Sequence, residues 1–392
     1  MRIERSLNIS DVRRLARKRL PPMAYDFIEG GCDDENGLVE NETALSSYRL
    51  VPRYLVDVSQ PRSAGIALGD TFAMPFGISP TGAAGMFRRG ADTLLALEAA
   101  EANVPFVLSS VSNDSIEDVL PVGPKNVWFQ IYGTRDPGIA LDMVRRAITA
   151  NVRKLVFSLD APVTSNRERN RRSSFSHPLK VTPAMLFQVL SRPGWTWEYL
   201  SNGGLPYFGN FRPYAKPNAT PQEVAEFFVT QCPAPTQTWD VLEGIRHTWP
   251  RHLLVKGILH PDDARRAVRL GADAVIVSNH GGRQLDRAPT SAEALPGILD
   301  AVGSQVEVML DGGIRRGSDI VAARCLGATF TFSGRPTLYG AAAAGRSGIR
   351  KVLAILKYEL GVILAQIGCP AASELGPQFL RRAVSGKLEP VG

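Results

Sequence analysis

The chain has 392 residues, of which 44% are hydrophobic, and a formal net charge of +7. This is the composition of an ordinary soluble globular protein with one large core or two ordinary ones, and no apolar run approaches the roughly 18 residues that a membrane-spanning helix needs. The positive charge leaves three kinds of partner open, namely nucleic acid, an anionic cofactor and a membrane surface.

The N-terminal region is predicted to be helical as far as Gly30 and Gly31, and eight apolar runs with strand character follow it. Segments with helical spacing lie between these runs. The alternation predicts an α/β fold, a (β/α)8 TIM barrel with an N-terminal helical extension, as a single domain over residues 1–392. A doubly wound open sheet is the alternative, but no Gly-x-Gly-x-x-Gly follows the first strand. The predicted strands are 75–79, 106–109, 127–132, 154–160, 253–257, 274–279, 306–311 and 329–334.

A polar group or a glycine stands at the end of every predicted strand. Because the carboxyl ends of barrel strands meet at one face, these residues predict a single polar site at the barrel mouth. Glycines after the seventh and eighth strands fall where barrels bind phosphate, so we expect a phosphorylated cofactor. The strand-end residues are Pro80, Thr81, Gly82, Ser109, Gln130, Tyr132, Ser158, Asp160, Lys256, Ser278, His280, Asp311, Gly312, Gly313, Gly334 and Arg335.

The loop 278–286 follows a buried apolar run and contains His280 and Arg283. Histidine exchanges a proton near neutral pH, and arginine binds a carboxylate through two parallel hydrogen bonds. The pair therefore predicts acid–base chemistry on a carboxylic acid, and Gly281 and Gly282 between them would let a flat ligand lie against the backbone. The alternative interpretation is a glycine turn with two polar surface residues.

Two further charged residues end strands of the predicted barrel. Asp160 is placed to orient and charge-stabilise His280, and Lys256 is placed to neutralise negative charge on a reduced isoalloxazine ring. A structural ion pair is the alternative for each of them.

The gap between the fourth and fifth predicted strands is too long for one helix and two loops. It holds an insertion, 171–215, with nine of the chain's thirty aromatic residues and five basic residues against Glu198 alone. We expect an irregular loop that docks at a membrane interface. A loop packed on the barrel, or at a subunit interface, is the alternative.

The four cysteines are scattered, without a Cys-x-x-Cys pair, and the N-terminus lacks the apolar core of a signal peptide. We therefore expect the protein to be in the reducing interior of the cell, with neither a disulfide scaffold nor a metal site. We also expect no nucleic-acid partner, because the excess charge lies with aromatic residues in one insertion and no recognition helix is evident.

The loop 278–286, together with Lys256-Gly257, the run 311–315 and Gly334-Arg335, resembles the FMN-dependent (S)-2-hydroxy-acid dehydrogenase and oxidase family. The resemblance extends over residues 9–370. It implies an FMN cofactor and a small 2-hydroxy-acid substrate that is oxidised to the 2-oxo acid. The residues that it implies for FMN are Pro80, Thr81, Gly82, Ser109, Gln130, Ser158, Lys256, Ser278, Asp311, Gly312, Gly313, Arg315, Gly334 and Arg335.

The same resemblance implies roles for residues around the substrate. His280 would be the base that removes a substrate proton, Asp160 would pair with it, and Tyr132 would bond the hydroxyl oxygen. Val111 stands where glycolate oxidases have tryptophan, which implies room for a larger substrate side chain. The residues implied for the substrate carboxylate are Tyr25, Arg167 and Arg283.

Within the family, the run 19–25, the run 167–169 and the tail 364–370 are similar to bacterial membrane-associated mandelate dehydrogenases, and the insertion also resembles that of L-lactate dehydrogenases. The resemblance implies oxidation of (S)-mandelate, a quinone acceptor, peripheral attachment to the cytoplasmic side of the inner membrane, and a homo-oligomer. The alternatives are an L-lactate dehydrogenase, a soluble cytoplasmic oxidase that makes hydrogen peroxide from oxygen, and a flavin-binding scaffold without activity.

Overall fold

The computed structural model describes residues 2–173, 182–384 and 387–390, so that part of the predicted insertion, including Lys180, lies outside the described residues. In chain order the α-helices are α1 (Ile9–Arg19), α2 (Pro22–Glu29), α3 (Asn36–Ala44), α4 (Ala91–Glu101), α5 (Ile116–Val119), α6 (Pro137–Thr149), α7 (Glu168–Arg172), α8 (Pro183–Leu190), α9 (Pro193–Ser201), α10 (Pro221–Gln231), α11 (Trp239–Thr248), α12 (Pro261–Arg269), α13 (Ser291–Val302), α14 (Gly317–Cys325), α15 (Arg335–Ala344) and α16 (Arg346–Gln366). The strands are β1 (Tyr48–Leu50), β2 (Gly65–Ala67), β3 (Asp70–Phe72), β4 (Phe76–Ile78), β5 (Phe106–Ser109), β6 (Val127–Ile131), β7 (Lys154–Ser158), β8 (His252–Ile258), β9 (Ala274–Val277), β10 (Glu307–Asp311), β11 (Thr331–Ser333), β12 (Leu380–Val384) and β13 (Lys387–Pro390).

The eight strands β4 to β11 form a closed parallel barrel in sequence order, and β11 pairs with β4 to close it. They correspond one by one to the eight predicted strands, with bounds that differ by no more than a few residues. The predicted (β/α)8 barrel and its N-terminal helical extension are therefore confirmed. Parallel pairing puts Ser109 opposite Gln130 and Ser158 opposite Lys256 at the carboxyl ends of neighbouring strands.

The barrel strands are buried almost throughout, which explains why they are continuous apolar runs rather than alternating ones. Large side chains fill the inside of the barrel and form a packed core. Helices pack outside it, and several begin with a capping box, such as the one formed by Thr290 and Glu293 at the start of α13.

A hairpin formed by β2 and β3 closes the amino-terminal end of the barrel, a feature that was not predicted. The ring of Phe72 packs edge-on against Trp128 and Phe330, which point into the barrel core. Asp70 at the start of β3 forms an ion pair with Lys154, whose side chain is only 1% exposed. Burial lowers the pKa of Lys154, while the carboxylate of Asp70 opposes that effect and keeps the ammonium partnered.

The insertion corrects the expectation of an irregular loop, because its described part contains α8 and α9. Pro183 and Pro193 each occupy the first position of their helix, where proline is favoured. Part of the aromatic content is core: Trp195, Tyr199, Phe208 and Phe211 are buried. Within residues 2–173, 182–384 and 387–390, no helix has the length and apolar character needed to cross a bilayer.

We expect the substitution Asp70→Asn to destabilise the barrel, because it leaves the buried ammonium of Lys154 without a counter-charge. The free energy of unfolding in urea should fall by about 2–4 kcal/mol. The matched control is Glu374→Gln, which removes the partner of Arg62 from an exposed pair and should cost less than about 1 kcal/mol. Equal losses in the two variants would contradict a structural role for the buried pair.

Candidate active site

A network of four buried side chains lies at the carboxyl ends of the barrel strands. Nζ of Lys256 lies 2.7 Å from Oδ2 of Asp311 and donates to Oγ of Ser278 at 2.8 Å. Oγ of Ser278 donates in turn to the same carboxylate, and Oγ of Ser79 donates to its other oxygen at 2.5 Å. Ser79 was not predicted as a site residue. The network joins strands β4, β8, β9 and β10 and fixes a positive charge at the barrel mouth.

His280 and Asp160 form a pair beside this network. Nδ1 of His280 lies 2.9 Å from Oδ1 of Asp160. Burial lowers the pKa of His280, and the charge of Lys256 adds to this effect against the opposing influence of Asp160. The imidazole is therefore neutral near pH 7, as a proton acceptor must be. Burial opposes ionisation of Asp160, yet the charges of His280 and Lys256 hold the pKa of this carboxyl below its usual value.

The backbone of the loop that carries His280 is left-handed over three successive residues. His280 has φ of +57°, a conformation that is uncommon for a residue with a side chain and that recurs at functional sites. Gly282, with φ of +71°, was expected to let a ligand lie against the backbone. Instead it faces α3, because a Cβ there would lie 2.5 Å from the backbone nitrogen of Leu38. A close approach of α3 to this loop therefore requires the glycine.

Three arginine side chains converge next to His280. Burial lowers the pKa of Arg283 well below its usual value, and the charges of Arg167 and Arg335 lower it further. Arg167 donates through Nη2 to Oε1 of Gln284 at 2.8 Å, so that Gln284, which was not predicted as a site residue, orients it. Positive groups that repel one another in a buried place favour an anion among them.

The C-terminal end of α2 is bound to two of these arginines. Nη1 of Arg283 donates to the carbonyl oxygens of Phe27 and Gly30, both at 2.7 Å. Nη2 of Arg335 donates to the same Gly30 oxygen at 3.0 Å. These bonds involve carbonyl groups at the C-terminal end of the helix, and they bring α2, with Tyr25, to the barrel mouth. Within the described residues, the side chain of Arg283 donates hydrogen bonds through Nη1 alone, which leaves the other edge of the guanidinium for a ligand.

Tyr132 completes the group of residues around His280. The two ring centroids are 6.5 Å apart. Burial raises the pKa of Tyr132, and the charge of Asp160 raises it further. The phenol therefore keeps its proton and is able to donate a hydrogen bond.

The residues at the ends of the remaining strands fit a flavin mononucleotide. Oγ1 of Thr81 and Nε2 of Gln130 are buried polar atoms without a hydrogen-bond partner in the described part of the protein, and such atoms call for a polar ligand. The ten-residue helix α15 begins at Arg335, directly after Gly334, and its N-terminus favours a phosphate. Burial lowers the pKa of Arg335 to about 10, so this side chain stays charged at neutral pH.

The insertion contacts the two loops that follow β4 and β5. From α9, Nε1 of Trp195 donates to the carbonyl of Met86 at 3.2 Å, and the hydroxyl of Tyr199 donates to that of Gly85. Further along, Nδ2 of Asn210 donates to Oγ of Ser112 at 3.0 Å. Val111 lies in this second loop, half-buried, and a Cβ built on Gly82 would lie 3.4 Å from it. The structure thus places Thr81, Gly82, Ser109 and Val111 next to one another.

Comparisons with known proteins agree with this site. The profile of the FMN-dependent dehydrogenase family matches residues 16–382. The chain is 38% identical to (S)-mandelate dehydrogenase of Pseudomonas putida, over 98% of this chain and 96% of that protein. It is 37% identical to L-lactate dehydrogenase of Xanthomonas euvesicatoria, over 97% of this chain and 98% of that one.

The same similarity holds in three dimensions. A crystal structure of the monotopic membrane protein (S)-mandelate dehydrogenase superimposes with a TM-score of 0.91 at 38% identity, and the match covers 96% of this chain and all of that one. The sequence match, the barrel and the residues at its mouth give one conclusion: the chain belongs to the FMN-dependent dehydrogenase family, whose members oxidise 2-hydroxy acids.

Proposed function

We propose that the protein oxidises (S)-mandelate, or a similar aromatic (S)-2-hydroxy acid, to the 2-oxo acid and passes the electrons to a membrane quinone. The pairing of His280 with Asp160, next to an arginine with a free edge, carries this proposal. The acid loses two protons, one from the α-carbon and one from the hydroxyl group, together with two electrons, and a carbon–oxygen double bond forms. A quinone that takes up two electrons and two protons becomes the quinol, which balances the reaction.

His280 is the base in this proposal. Its neutral imidazole accepts a proton from the substrate, and Asp160 on Nδ1 then stabilises the imidazolium that results. Arg283 holds the substrate carboxylate, with Tyr25 and Arg167 in support, and Tyr132 donates a hydrogen bond to the substrate oxygen. Two-point binding of this kind fixes the α-carbon relative to the base, which is worth several orders of magnitude in rate.

FMN is the cofactor of the family and, when bound, accepts the two electrons. In our proposal Thr81, Gln130 and Ser109 bind its ring through side chains at the strand ends, and Lys256 places a positive charge beside it. Gly313, Gly334 and Arg335, with Arg315 nearby, bind the phosphate. The unpartnered buried atoms of Thr81 and Gln130 support this assignment.

The choice of an aromatic acid rests on Val111, whose short side chain leaves more room beside Gly82 than a tryptophan would. Oxidation of L-lactate is the second candidate, because an L-lactate dehydrogenase is 37% identical to this chain and the mandelate dehydrogenase only 38%. The two acids share the carboxylate and the hydroxyl group and differ in the size of the side chain.

Membrane attachment is proposed to occur through the outer face of α8 and α9. Phe187 and Leu190 on α8, with Trp197 and Leu200 on α9, are each more than 70% exposed. Apolar patches of this kind mark interaction sites, and aromatic residues favour the lipid headgroup region. Glu198, the single acid of the insertion, points inward and accepts from Arg88 at 3.1 Å, so it does not oppose anionic lipid.

We expect His280→Gln to keep FMN bound but to slow anaerobic flavin reduction by about 10²–10⁴-fold, because the variant has lost its proton acceptor. Stopped-flow absorbance measures the rate. His252→Gln is the matched control, since His252 pairs with Asp273 at 3.5 Å at the amino-terminal end of the barrel, away from the mouth, and it should leave the rate unchanged. A normal rate in the His280 variant would exclude this residue as the base.

Substrate choice is tested by mixing the protein anaerobically with mandelate, lactate and glycolate, and we expect mandelate to reduce the flavin fastest. Val111→Trp should then lower the rate on mandelate at least tenfold more than the rate on glycolate, because the indole fills the volume that an aryl group needs. Val111→Ala should leave the preference intact. Equal losses on both acids in the tryptophan variant would place the pocket elsewhere.

The triple substitution Phe187→Ser, Leu190→Ser and Trp197→Ser should weaken binding to vesicles of phosphatidylglycerol and phosphatidylethanolamine at least tenfold, because it removes apolar area from the membrane contact. Co-sedimentation measures binding, and activity with a soluble dye should persist. The control Leu7→Ser and Tyr358→Ser changes residues of similar exposure elsewhere and should bind normally. Undiminished sedimentation of the triple variant with vesicles, or none by the native protein, would exclude this face and favour a soluble oxidase.

A further inference from the structure

Gly257 lies inside a barrel strand, next to Lys256, at a place where the strand is irregular. The pairing of β8 with β9 changes register between Lys256 and Ile258, and Gly257 has φ of +97°. Glycine within a strand marks such irregularities, or sites where another group approaches the backbone closely. Both conditions hold here.

The group that approaches is the carboxyl group of Asp160. A Cβ built on Gly257 would lie 2.5 Å from both Cβ and Cγ of Asp160 and 2.8 Å from its Oδ2. Asp160 follows β7, the neighbour of β8, and the backbone nitrogen of Leu159 donates to the carbonyl of Lys256 at 3.0 Å. Asp160 is a short side chain held between two strands, so it cannot yield to a methyl group as the end of a long side chain would.

Contact with Gly257 on one side and with His280 on the other therefore determines where the carboxylate lies. We propose that Gly257 is a positioning residue for the reaction: its missing side chain allows the carboxylate of Asp160 to sit at 2.9 Å from Nδ1 of His280. The inference rests on the proposed role of His280 as the base. It means that β8 must have a glycine at position 257, although this residue has no side chain that could take part in the reaction.

The substitution Gly257→Ala tests the proposal in the FMN-loaded protein. A displaced Asp160 should slow anaerobic flavin reduction at least tenfold, with the acid that reduces the native protein fastest. Asp160 raises the pKa of His280, whereas burial, Lys256 and Arg167 lower it. Moving Asp160 away should therefore shift the ascending limb of the pH–rate profile to lower pH. Tyr132 also faces the imidazole, but it stays protonated throughout that range.

Gly69→Ala is the matched control, because Gly69 has a similar φ of +78° and its added Cβ would meet nothing within 4 Å. It carries the backbone strain without the collision, and we expect an unchanged rate and pH profile. Nitrogen-15 NMR of the histidine rings gives the pKa of His280 without turnover. A lowered pKa of His280 in Gly257→Ala would thus support the positioning role even if none of the acids reduced the flavin of the native protein. That second result would refute the proposed function and leave the positioning role intact.

A double-substitution cycle separates the collision from other effects of the alanine. Asp160→Gly removes the atoms that the methyl group would meet, so adding Gly257→Ala to it should change the reduction rate less than twofold. If Gly257→Ala alone fails to fold or to bind FMN, the double variant should regain both. The proposal is overturned if the double variant also fails, if the alanine slows both backgrounds equally, or if the pKa of His280 is unchanged.

Discussion

The barrel mouth is organised by the need to balance one buried ammonium group. Lys256 lies 2.7 Å from the carboxylate of Asp311, and the charge of Asp160 also acts on it. Beside this pair, the carboxylate of Asp160 raises the pKa of His280, while burial and the charges of Lys256 and Arg167 lower it, and the lowering effects prevail. The same charges that fix the strand ends therefore also influence the protonation state of His280.

The barrel itself could be predicted because its strands are buried on both sides. Runs such as 274–277 are apolar at every position, which no surface element would be, and each predicted strand was found. The hairpin of β2 and β3 was missed because its short strands include exposed positions, whereas the equally short barrel strands β4 and β11 are buried at every position. The two helices of the insertion were also missed, although a proline at the first position of α8 and of α9 was a signal for them.

The part of the site that could be predicted consists of reactive side chains at the ends of the barrel strands. His280, Asp160 and Lys256 lie together as expected, because parallel strands bring their ends to one face. Ser79 was missed because its contact with Asp311 joins β4 to β10 past the intervening strand β11, and these strands are far apart in the sequence. Sequence reasoning identifies which groups carry chemistry, but the small residues that fix their distances depend on contacts between distant segments.

The attachment of α2 to the arginines at the mouth has a consequence for how the protein is made. The carbonyls of Phe27 and Gly30 accept hydrogen bonds from Arg283 and Arg335, which are separated from them by more than 250 residues. Contacts between such distant parts of a chain form late, because the loop that they close must first be ordered. We therefore expect α2 to reach its place at the barrel mouth only after β9 and β11, which precede these two arginines, have joined the barrel. A chain that ends before Arg335 would lack the hydrogen bonds of this residue to Ile28 and Gly30.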